Sequence, residues 1–147
     1  MKKEQEEQEL ESKEVYLDSN LFITSVISTA TDGEKARAII KQIKEGEYEG
    51  YTSVLTLDEV IWIVQKFKDK ETAYETGKTL IGIPNINFVP IGVELISKSL
   101  ELYKNTLLDP RDAIHLATMQ QKGIKTIISQ DSDFDKIKNI KRIDFSK

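Results

Sequence analysis

Apolar residues recur along the chain at two spacings, and the changes from one to the other set out its elements. Short apolar runs at 15–17, 51–54, 87–91, 125–129 and 142–145 read as strands, the first running straight into Asp18. Between them the spacing lengthens to three and four residues. A short helix is expected over 21–27. A second opens at Asp32 or Gly33, puts Ala36, Ile39, Ile40 and Ile43 on one face, and stops before Gly46. Residues 56–68 predict a helix with Val60, Ile63, Val64 and Phe67 inward, and 71–81 predict another. The stretch 93–105 places Leu95, Ile96, Leu100 and Tyr103 inward, and a helix over 109–122 ends at Gly123. Strands separated by helical segments imply an α/β fold with a mainly parallel central sheet of about five strands. In such sheets, sites form beyond the carboxyl ends of the strands. That rule singles out Asp18, after the first strand, and Asp131, after the fourth.

Residues 1–14 break the pattern. Leu10 is their one aliphatic side chain, and three lysines face six glutamates, a net charge of −3. They are expected to be a disordered or loosely helical acidic tail, ahead of a single domain over 15–147. The whole chain carries −4, which leaves −1 for that domain. A near-neutral body lacks the basic surface of a vigorous nucleic-acid binder. The densest basic stretch, Lys136, Lys138, Lys141 and Arg142, reads as solvated surface. The absence of cysteine excludes disulfides, thiol catalysis and thiolate zinc sites. A single histidine, His115, excludes a multi-histidine metal centre within one chain. No run approaches the roughly 20 apolar residues of a membrane span, and the first residues are too polar for a signal peptide. A cytoplasmic protein without a membrane segment is the expectation.

Four acids stand at element boundaries or in first turns, and each has a plain structural alternative. Asp18 ends a strand, where it can ligate a metal or cap the next helix with Ser19 or Asn20. Glu59 lies three residues after Thr56, the spacing of a capping box, and capping is the stronger reading there. Asp112 follows a capping Asp109 and Pro110, at the positive end of a helix whose Ala113, Ile114, Leu116 and Ala117 make it apolar around much of its circumference. An acid at the mouth of a buried helix needs a partner or a cation. Asp131, Asp133 and Asp135 put three acids in five residues after a strand, either a cation site or a polar turn.

In their order along the chain, these segments resemble the PIN-domain nucleases. The matches are Leu-Asp-Ser-Asn-Leu-Phe at 17–22, the helix-borne Glu59, Arg-Asp-Ala-Ile-His-Leu-Ala-Thr at 111–118 and Ser-Gln-Asp-Ser-Asp-Phe at 129–134. The resemblance spans about residues 15–145. It implies a three-layer α/β/α Rossmann-like sandwich and metal-dependent cleavage of RNA. It implies Asp18, Glu59, Asp112 and Asp131 as the catalytic acids, with Asp18 and Asp112 direct ligands of Mg2+ or Mn2+ and Asp131 a third, through water. Glu59 would orient or deprotonate the attacking water. Asn20 and Ser129 become polar supports and Asp133 a fifth acid. The small size looks most like the VapC toxins of prokaryotic toxin–antitoxin pairs. That likeness implies an RNA substrate, a small antitoxin partner and a homodimer. The helices at 56–68 and 71–81 are candidates for the interface, since Ile61 and Trp62 lie off the main apolar face.

The chemistry suits the residue types. Converging carboxylates repel one another and raise their own pKa values, and a hard cation removes that cost. His115 is not required and reads as a packing or surface residue. The alternatives are an RNA-processing nuclease of PIN fold without an antitoxin, and a PIN-like binding module of weak or no activity. A phospho-receiver wants an acidic pair after its first strand and a haloacid-dehalogenase-type phosphatase wants Asp-x-Asp. The first strand ends in a single acid, Asp18, and position 20 is Asn, so both are disfavoured.

Overall fold

The structure is a computed structural model describing residues 13–147, so the expected tail lies outside the described residues except for Lys13 and Glu14. Five strands, β1 (Glu14–Leu17), β2 (Glu49–Ser53), β3 (Ile86–Val89), β4 (Thr126–Ile128) and β5 (Lys141–Ile143), form one sheet. Their order is β3-β2-β1-β4-β5, and every neighbouring pair is parallel. Six α-helices connect them: α1 (Ser19–Ile27), α2 (Thr31–Lys44), α3 (Val54–Phe67), α4 (Lys70–Ile81), α5 (Val93–Asn105) and α6 (Pro110–Gln121). A 3-10 turn at Ser132–Lys136 precedes β5.

Alternation in β1 divides the core. Val15 and Leu17 face one side with Leu21, Ile40, Val60, Val64 and Leu80, from α1 to α4. Tyr16 faces the other with Leu116, Met119, Ile127 and Phe134, under α6. Parallel strands connect by right-handed crossovers, so reversing the direction of travel across the sheet changes the face the helices cover. The chain moves outward from β1 to β3 through α1–α4. It then returns over β2 and β1 to β4 through α5 and α6, giving three layers. The reversal lies between β1 and β4, at the centre of the sheet, where ligand crevices form in such folds.

Two of the helix stops follow the sequence signals. Gly46 and Gly123 take φ of +84° and +68°, the left-handed conformation that glycine adopts without a Cβ clash. Three readings need correcting. Helix α3 starts at Val54 and is capped by Ser53, whose hydroxyl accepts from the Leu55 amide at 3.0 Å. Thr56 is therefore not an N-cap. It is buried, with its hydroxyl 2.6 Å from that of Thr52. Phe67, expected inward, is exposed. So are Leu100 and Tyr103, because α5 turns Leu95 and Ser99 inward instead. Ser99 satisfies its hydroxyl on its own helix, donating to the Ile96 carbonyl at 2.7 Å, and so costs little to bury.

Candidate active site

Asp18, Ser129 and Asp131 arrive from the tips of β1 and β4, the two strands that flank the reversal. The ladder runs one step past the strands, with the Asp18 amide donating to the Ile128 carbonyl at 3.1 Å. Asp18 caps α1, accepting from the Ser19 amide at 2.8 Å. Its other carboxylate oxygen accepts from the Ser129 hydroxyl at 2.6 Å and from Asn20 at 3.2 Å. Asn20 and Ser129 also meet each other at 3.2 Å. The capping and site readings of Asp18 thus describe one residue. Burial raises its pKa against the opposing pull of His115 and Ser129.

Asp112 is delivered differently. Asp109 caps α6, accepting from the Asp112 amide at 2.8 Å, with Pro110 in the first helical position. Asp112 then stands in the first turn, half-buried, facing the β4 loop. There Asp131 caps the 3-10 turn through the Asp133 amide at 2.9 Å, while its own amide donates to Ser129 at 2.9 Å. One carboxylate oxygen each from Asp112, Asp131 and Asp133 come within 4.8 Å of one another. The consequence falls on Asp112. Burial, then its contact with the Asp131 carboxyl and the charges of Asp18, Asp109 and Asp131, push its pKa up to about 9.

Asp18 lies outside that trio but within reach of its field. Glu59, from the second turn of α3, sits beside Asp18. One of its oxygens accepts from the Ser19 hydroxyl at 3.2 Å, and the other lies 2.7 Å from His115 Nε2. His115 Nε2 is also 3.8 Å from Asp18. Fully buried, His115 meets the Tyr16 hydroxyl at 2.6 Å through Nδ1. Burial pulls its pKa down, but Glu59 and Asp18 outweigh that and lift it above the ordinary value. The reading of His115 as a mere packing or surface residue missed this. The available signal was its place three residues after Asp112 on the same helix, hence on the same face.

A family model described as the PIN domain matches residues 15–140. The chain belongs to the PIN-domain family. No curated protein matches it. Solved structures do, at low identity and with the fold in common. VapC20 of Mycobacterium tuberculosis, described as a toxin cleaving the sarcin–ricin loop, superposes with a TM-score of 0.69 at 14% identity, covering 82% of this chain and 92% of that one. VapBC2 of Rickettsia felis, bound to a DNA fragment from its promoter, gives 0.68 at 13%, covering 88% and 97%. DNA-bound VapBC of Salmonella typhimurium gives 0.68 at 17%, covering 90% and 98%. The PIN domain described here thus shares its fold with toxins from toxin–antitoxin pairs. Among the described residues, no helix is long and apolar enough to cross a membrane.

Proposed function

We propose that this PIN domain is a metal-dependent endoribonuclease, hydrolysing RNA phosphodiester bonds as the toxin of a VapBC-type pair. The observation that carries the reading is the trio Asp112, Asp131 and Asp133 at the reversal point of the sheet, with Asp112 held at a pKa of about 9. Three carboxylates crowded into mutual repulsion are an all-oxygen donor set of the kind that suits Mg2+ or Mn2+. Asp112, Asp131 and Asp133 would hold the cation, and Asp18 would complete the ligand set. A cation held there would supply positive charge beside the scissile phosphate and lower the pKa of a bound water. Ser129 and Asn20 aim Asp18 by donating to it, and Ser129 opposes the upward push of burial on its pKa. Glu59 orients the attacking water. The likeness to a toxin that cleaves the sarcin–ricin loop supports RNA as substrate.

The partner reading has its own support. A groove of about 550 Å³ between α1, α2 and α4 has Phe22, Val26, Ile40 and Leu80 among its lining, with Arg37, Lys41 and Lys44 along its α2 side against a single acid, Glu75, on α4. This basic-edged apolar channel suits an acidic amphipathic segment of an antitoxin. The VapBC likenesses point to the same class of partner. Exposed Trp62 on α3 and Tyr74 on α4 support a homodimer through those helices. The protein would work in the cytoplasm. Cleavage of a single-stranded RNA in Mg2+ or Mn2+ tests the central claim: wild type should cut and folded Asp112→Asn should not. Full activity in that variant would refute the assignment.

A further inference from the structure

His115 and Tyr16 are buried polar groups for which the cluster of acids has no direct use. Helix α6 meets the sheet largely through the apolar Ala113, Leu116, Ala117 and Met119, and its buried Thr118 satisfies its hydroxyl on the Ile114 carbonyl of the same helix. An apolar side chain would fill the space of His115 without the cost of desolvating an imidazole. Both ring nitrogens are instead engaged by partners far away in the chain: Tyr16 on the central strand and Glu59 on α3.

The roles along this line follow from what each group can do. An ionised Glu59 can only accept, so Nε2 carries the hydrogen and donates. The Tyr16 hydroxyl keeps its proton, because burial and the charge of Asp18 push its pKa upward. It donates to Nδ1 of a neutral ring and accepts from Nδ1–H of a protonated one, so the contact holds the ring in one orientation in either charge state. Ser19 takes the second Glu59 oxygen, so the carboxylate is fixed at both ends beside Asp18.

We propose that His115 is a positioning residue for RNA cleavage: oriented by the Tyr16 hydroxyl, it pins the Glu59 carboxylate in one rotamer beside Asp18. This rests on the nuclease reading above, and adds a line of support running from the core of the sheet to the edge of the site. The role is geometric and does not depend on a change in the charge of His115. Groups of this kind, one layer behind a metal site, typically change activity by about 10–100-fold when removed.

The single histidine makes the test clean, since the imidazole signals of 15N-labelled protein have one source. Wild type should keep a proton on Nε2 in either charge state, downfield and slow to exchange. Glu59→Gln should shift that proton, and Tyr16→Phe should change the Nδ1 signal and speed exchange of the Nε2 proton. In cleavage of a synthetic single-stranded RNA in Mn2+, His115→Leu should lower kcat by about 10–100-fold and change KM by less than about twofold. His115→Gln, which keeps a donor, should recover part of the loss, and Tyr16→Phe, which keeps the volume, should reproduce part of it. Wild-type kcat in folded His115→Leu and Tyr16→Phe, or a ring proton indifferent to Glu59→Gln, overturns the proposal. If wild type itself cuts no RNA, the nuclease reading fails separately, and the imidazole spectra alone decide whether His115 holds Glu59.

Discussion

The acids of this PIN domain fall into two tiers that differ in how their charges are satisfied. In the inner tier, Asp18 and Glu59 are each gripped on both carboxylate oxygens by Ser19, Asn20, Ser129 or His115. In the outer tier, Asp112, Asp131 and Asp133 chiefly face one another, with Lys136 reaching Asp133 from the solvent side at 3.5 Å. Hydrogen bonds to a carboxylate stabilise its ionised form, whereas like charges destabilise it. The inner tier is therefore held in place by its own hydrogen bonds, and the outer tier is where the proposed cation would relieve repulsion.

The largest expected effect breaks the outer tier chemically. Asp112→Asn should lower metal-dependent cleavage by about a hundredfold or more, since several kcal/mol of charge stabilisation depends on the cation. A loss below tenfold in kcat/KM, measured on folded protein, would count against the division into tiers.

Stability should move the other way. The folded pKa of Asp112 lies far above that of an unfolded Asp, so its contribution favours folding below about pH 4 and is lost as the pH rises toward about 9. In metal-free protein at pH 7, Asp112→Asn should therefore raise Tm, and the gain should vanish near pH 4. Thermal melts across that range read both signs. A gain that persists at pH 4 would show that charge is not its source.

Saturating cation should relieve the same repulsion. Mn2+ at about 100 times its Kd should stabilise the fold by about 2.7 kcal/mol, or roughly 5–10 °C in Tm for a chain of this size. The shift should be larger at pH 8 than at pH 5, because protons compete for the carboxylates at the lower pH. Equal shifts in wild type and Asp112→Asn would place the cation elsewhere.

The inner tier should show a smaller, structural cost. Ser129→Ala removes a buried donor from Asp18 and an acceptor from the Asp131 amide, and should cost about 1–3 kcal/mol by denaturant unfolding. The smallest effect belongs to Lys136→Ala. Its ion pair with Asp133 is solvent-exposed, and stability should stay within about 0.5 kcal/mol of wild type.

Sequence and structure agree best where one local interaction decides the outcome. The run at 15–17 alternates across a sheet, glycines at 46 and 123 permit the left-handed stops, and Asp109-Pro110 starts α6. They part where two local patterns compete. Thr56 and Glu59 match a capping box, yet Ser53 caps α3 and both residues are used elsewhere. Helix α5 carries leucines on more than one face. Which face is buried depends on α6, which packs beside it, and the reading from spacing chose Leu100 and Tyr103 wrongly.

Spacing and residue type by themselves determined the α/β pattern, the parallel sheet and the strand tips and helix turns that carry acids, because periodicity and capping act over a few residues. Tertiary structure alone decided which acids meet. It set Asp133 against Asp112, and it put His115 and Tyr16 behind Glu59, because those distances arise only when β1, β4, α3 and α6 converge. A charge's environment is a property of everything packed around it, and the contacts of Glu59 with Ser19 and His115 and of Asp18 with Ser129 join residues 40 or more apart along the chain.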